Sequence, residues 1–108
     1  MDLGLRDYRW LGDALPGRVA PTDLDALLER KGHFLVLEYK PPGMPLPMGQ
    51  RITLRSLVKL GMDVWVVWGD GPEVEVGAMD RRGEVPFVEK MSVGKLRRRV
   101  KTWFEEVE

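Results

Sequence analysis

Apolar residues fall along this chain in runs whose period changes, and each change marks a new element. Over residues 2–15, Leu3, Leu5, Tyr8, Leu11 and Leu15 recur at mostly helical spacing until Pro16-Gly17 stops the run, which predicts a short first helix. Residues 22–28 (TDLDALL) and 33–40 (HFLVLEYK) are two β-prone runs around the charged turn Glu29-Arg30-Lys31-Gly32. That is the pattern of an antiparallel hairpin. The second run is apolar from Phe34 to Leu37 without alternation, as a strand covered on both faces requires, and Pro41-Pro42 ends it because proline cannot extend a ladder. Residues 49–60 put Gln50, Leu54, Leu57 and Val58 on one helical face, continued by Gly61. Residues 62–68 (MDVWVVW) predict another buried strand, 73–79 alternate as a strand with one wet face does, and 85–88 suggest a short further strand. Ser92 is placed to cap a last helix running to Val107, with Leu96, Val100, Trp103, Phe104 and Val107 turned inward. The predicted order is α-β-β-α-β-β-(β)-α in one domain over residues 1–108. A helix between two buried strands suits an α/β (α+β) fold, a mixed sheet flanked by helices.

Composition narrows this only slightly. A hydrophobic fraction of 44% and a charged fraction of 31% are those of a soluble globular domain. Seventeen basic and seventeen acidic residues cancel, so net charge points to no partner. The absence of cysteine excludes disulfides, thiolate metal sites and thiol nucleophiles. No apolar stretch approaches the roughly 20 residues of a membrane span, and the N-terminus lacks the layout of a secretory signal. The expectation is a cytoplasmic protein with no membrane partner, or one in a host cytoplasm if phage-encoded. The chain has no asparagine and a single glutamine, Gln50, so an inward-facing Gln50 stands out.

The chemistry collects on one predicted sheet face. Alternation puts Glu38 and Lys40 on the face shared by Phe34 and Val36. Asp23 and Asp25 share a face of the partner strand, and a tight turn at residues 30–32 sets Asp25 roughly opposite Glu38. A one-residue slip would flip both acids, and Asp23 stays open as the alternative ligand. Two converging carboxylates repel each other unless a cation lies between them, and oxygen ligands of this kind suit Mg²⁺ or Mn²⁺. Lys40 beside such a metal would position water and offset charge on a phosphate.

The order Asp25, hydrophobic strand, Glu38-Tyr39-Lys40, then a helix opening with Gln50, resembles the PD-(D/E)XK nuclease superfamily. Its members include restriction enzymes, Holliday-junction resolvases and VRR-NUC domains. The resemblance covers residues 18–69, about half the chain, and departs from the family in having Thr22-Asp23-Leu24-Asp25 where Pro-Asp is usual. It implies a restriction-endonuclease-like core and Mg²⁺ (or Mn²⁺) held by Asp25, Glu38 and the Tyr39 backbone carbonyl. It further implies that Lys40 assists water, that Gln50 contacts the site, and that DNA is hydrolysed by metal-activated water. A small stand-alone member would be an endonuclease selective for DNA structure, as in repair or recombination, and a homodimer would let each copy cut one strand.

Two other classes compete with that reading. One is a non-catalytic nucleic-acid-binding or accessory subunit that keeps the nuclease fold. The other is an interaction module built on Trp65, Trp68 and the proline-rich loop. Candidate phosphate contacts are Arg51 and Arg55, one turn apart, and Arg97 and Arg98 in the basic run 95–101. His33 is expected at the surface, and Tyr8 and Trp10 as packing residues of the first helix.

Overall fold

The computed structural model describes residues 7–17 and 19–108. Its elements are β1 (Ala26–Arg30), β2 (His33–Lys40), α1 (Met48–Lys59), β3 (Asp63–Trp68), β4 (Glu73–Ala78), β5 (Glu89–Ser92) and α2 (Val93–Glu106). The strands form one sheet in the order β1-β2-β3-β4-β5. Only β2 and β3 run parallel, joined by the α1 crossover, and the other neighbours are antiparallel. The architecture is therefore mixed α/β.

The β1–β2 hairpin closes on Lys31-Gly32, both with positive φ (52° and 83°), as a two-residue loop matched to strand twist needs. This fixes the register from Ala26 opposite Leu37 to Arg30 opposite His33. Each helix covers one sheet face. Leu54 of α1 is wholly buried with Val36, Val64 and Met79, while Leu96 of α2 packs with Val67, Val74, Val76 and Met91. Coverage of both faces is why β2 and β3 carry unbroken apolar runs where β4 alternates.

Ser92 caps α2, its side chain accepting from Lys95 N at 3.1 Å. The helix then descends to the opposite end of the sheet, where three contacts hold it. Trp103 Nε1 donates to Asp63 Oδ2 at 2.8 Å, Arg30 lies 4.5 Å over the Phe104 ring, and His33 Nε2 meets the Glu108 carbonyl at 2.8 Å. Asp63→Ala is expected to lower stability by about 1 kcal/mol, a fall of roughly 4–8 °C in thermal midpoint. A midpoint within a degree of wild type would show that the indole bond contributes nothing.

Three predicted elements differ. The first helix is, over its described part, only a three-residue 3₁₀ turn at Arg9–Leu11, and residues 2–6 of that prediction lie outside the described residues. None of the turn's residues is buried, and a helix this short does not persist without a face to pack. Trp10 is accordingly 60% exposed, not the packing residue expected, while Tyr8 bonds to Asp23. β1 begins at Ala26, so Asp23 and Asp25 precede the ladder. The last strand is Glu89–Ser92, not residues 85–88. Those residues contain Pro86 and pass over the face of β4 at Gly77, where any side chain would run into Val85 and the Phe87 carbonyl. Among the described residues no helix is long and apolar enough to cross a membrane.

Candidate active site

The parallel pair β2–β3 ends beside the N-terminus of α1, the place where open α/β sheets leave a crevice. The turn after β2 is built for rigidity. Met44 N donates to the Pro41 carbonyl at 3.1 Å around Gly43 at φ 71°, a turn that sets proline before a left-handed glycine. Trp68 Nε1 donates to the Met44 carbonyl at 2.8 Å, Gly69 N to the Lys40 carbonyl at 2.9 Å, and Leu46 packs into the core under α1. The chain thus enters α1 at Pro47 with Gln50 in its first turn, facing β2.

Glu38 is the only buried charged residue among those described, 2% exposed. Its Oε1 accepts a hydrogen bond from Gln50 Nε2 and lies 4.0 Å from Lys40 Nζ. Its Oε2 and Gln50 Oε1 are buried without a hydrogen-bond partner. Burial first, then the charge of Asp25, raises the Glu38 carboxyl above the usual glutamate range, against the opposing pull of Lys40 and Gln50. A buried, half-satisfied carboxylate beside a second carboxylate is costly in isolation.

Asp25 stands one residue before Ala26, outside the ladder, and the β1–β2 register carried one step further sets it against Glu38, whose carboxyl feels its charge. Its Oδ2 accepts from Tyr39 N at 2.8 Å, taking the place of a strand partner. In a strand the N–H and C=O of one residue point to the same side, so the Tyr39 carbonyl also faces Asp25, past the end of β1. Asp23 is turned elsewhere, its Oδ1 accepting from Tyr8 OH at 3.2 Å. The geometry therefore brings together Asp25, Glu38, Tyr39, Lys40 and Gln50 and leaves Asp23 aside.

These donors fit a hard divalent cation. Glu38 Oε2 needs a partner, Asp25 supplies a second carboxylate oxygen, and Mg²⁺ is commonly held by one or two carboxylates plus water. Among the described residues no group of three or more Asp, Glu or His side chains converges, so waters and a carbonyl would complete the shell.

The other sequence candidates separate. Arg51 Nε donates to the Gly83 carbonyl at 2.7 Å, and the stem of Arg55 packs beneath Gly83, so both brace the turn after β4. Arg97 and Arg98 lie exposed on α2, whereas Lys95 and Arg99 both reach Glu89, at 3.1 and 2.8 Å. His33 is exposed at the far end of the sheet, and Trp65 and Trp68 occupy opposite faces. Trp68 pins the site loop through its indole, a role the sequence pattern does not mark, since the parity of β3 gives its face but not its pairing opposite Lys40. No family model, curated protein or solved structure matches the chain.

Proposed function

We propose that this chain is a metal-dependent DNA nuclease of the PD-(D/E)XK type, with a restriction-endonuclease-like core. The observation that carries the reading is Glu38, a buried carboxylate with one oxygen unpartnered, set against Asp25 and flanked by Lys40 and Gln50. The hydrogen bonds from Gln50 and Tyr39 N leave Glu38 Oε2 without a partner, and a cation with a phosphodiester substrate would satisfy it.

When bound, Mg²⁺ would offset the two carboxylates and lower the pKa of water for attack on phosphorus. Asp25 and Glu38 would hold it, with Tyr39 contributing its carbonyl. Gln50 fixes Glu38 through Oε1 and so leaves Oε2 for the cation. Lys40, 17% exposed at the strand end, holds its ammonium where an incoming phosphate meets the site and orients the attacking water.

The test is incubation of the protein with supercoiled, linear, flapped and four-way-junction DNA in Mg²⁺, Mn²⁺ or EDTA. Cutting in either metal and none in EDTA is expected. No cutting in any metal, or cutting undiminished by EDTA, overturns the reading. Binding without cutting points to an accessory subunit.

The two acids should separate by a measurement that needs no DNA. Mg²⁺ at 100 times its dissociation constant should stabilise wild type by about 2.7 kcal/mol. Asp25→Asn should lose most of the resulting rise in melting temperature, while Asp23→Asn keeps it. The reverse order would assign the ligand to Asp23.

A further inference from the structure

The geometry points to a path for a single-stranded DNA extension, running from the proposed active site over the sheet end past Tyr39 to Arg97 and Arg98. This rests on the nuclease reading and names a substrate class for it: duplexes that carry an unpaired tail. The topology places the site and the two arginines at one end of the sheet, on opposite faces. β2 ends at Lys40 and β5 at Ser92, directly before α2, so the first turns of α2 lie at the same end of the sheet as the site. Tyr39 carries the site on its backbone, through Asp25, but its side chain is on the α2 face and 47% exposed. There it lines a groove of about 270 Å³ with Leu37, Val93, Leu96, Arg97 and Val100. A second cleft, of about 310 Å³, follows along α2 between Gly94, Arg97, Arg98 and Lys101.

The two clefts share Arg97, so an exposed aromatic ring leads into a run of cations. That pairing suits unpaired nucleotides, whose bases stack on the ring while phosphates follow the charges. Neighbouring cations differ in availability. Lys95 and Arg99 are both committed to Glu89, whereas neither Arg97 nor Arg98 has an ion pair or hydrogen bond among the described residues. A base-paired duplex offers no open base face to Tyr39, so the preference should be for the tail.

The experiment compares wild type, Arg97→Ala/Arg98→Ala and Tyr39→Ala. Fluorescence anisotropy would follow labelled blunt and tailed duplexes of equal sequence, with Ca²⁺ replacing Mg²⁺, over a salt series. Wild type should bind the tailed duplex roughly tenfold more tightly than the blunt one. The double variant should lose that preference, with a salt slope shallower by about 1.4 for the two lost single-strand phosphate contacts. Tyr39→Ala should weaken tail binding with little change of slope, and the melting temperature of the double variant should match wild type. An unchanged slope and preference in the double variant overturns the path while cutting by wild type leaves the nuclease reading standing. Equal loss on blunt and tailed DNA also overturns it, assigning the cations to duplex. Wild type that neither binds nor cuts DNA overturns both.

Discussion

Replacing Lys40 with Ala is expected to lower the rate of metal-dependent DNA cleavage by about 10²–10³-fold while the protein stays folded. The fold should tolerate the change because Lys40 joins the sheet through its backbone, opposite Trp68, and its side chain belongs to no core cluster. The rate should not. The ammonium sits 4.0 Å from Glu38 Oε1 at 17% exposure, where reduced solvent screening strengthens its action on a phosphate. Lys40→Arg should restore little, since a planar guanidinium does not occupy the place of a compact ammonium. Single-turnover cleavage at saturating metal is the deciding measurement. A rate within about threefold of wild type would reduce Lys40 to a counter-charge for Glu38.

The sequence made the centre of this molecule legible because local rules and long-range packing agree there. A two-residue Lys31-Gly32 loop leaves the hairpin one register, and that register aligns Asp25 with Glu38. The unbroken apolar runs of β2 and β3 follow from helices on both sheet faces, and helical spacing with Leu54 and Leu57 turns Gln50 inward. Agreement fails at the margins. Leu11 and Leu15 have helical spacing but are only half-buried, and no residue of the Arg9–Leu11 turn is fully buried, so spacing produced no lasting helix there. Residues 85–88 have strand-like composition, yet Gly77 leaves space for them to cross over β4, and pairing passes to Glu89–Ser92. Nothing local records a glycine two elements away. Nor does anything local record that Arg51 Nε donates to the Gly83 carbonyl or that the stem of Arg55 packs beneath that glycine.

Glu38→Gln should separate stability from function most sharply. The substitution keeps the shape of the side chain and an oxygen to accept from Gln50 Nε2, but removes a buried charge facing Asp25. In EDTA at neutral pH the variant should be more stable than wild type by on the order of 1 kcal/mol, part of the gain being offset by leaving Lys40 without its counter-charge. That corresponds to a midpoint roughly 4–8 °C higher. The sign with pH follows from the raised carboxyl of Glu38. A group whose folded value lies above its unfolded one favours the fold at low pH, and that contribution is lost as pH rises through the folded value. The gap between variant and wild type should therefore be small near about pH 4 and widen toward neutrality. Adding Mg²⁺ should reverse the ranking, because only wild type retains the ligand, and cleavage by the variant should fall by about 10³-fold or more. Thermal melts in EDTA and in Mg²⁺ at two pH values, with one cleavage assay, decide the matter. A variant less stable than wild type in EDTA at neutral pH would mean that Glu38 is held by structural bonds, and that the buried carboxylate needs no cation to explain it.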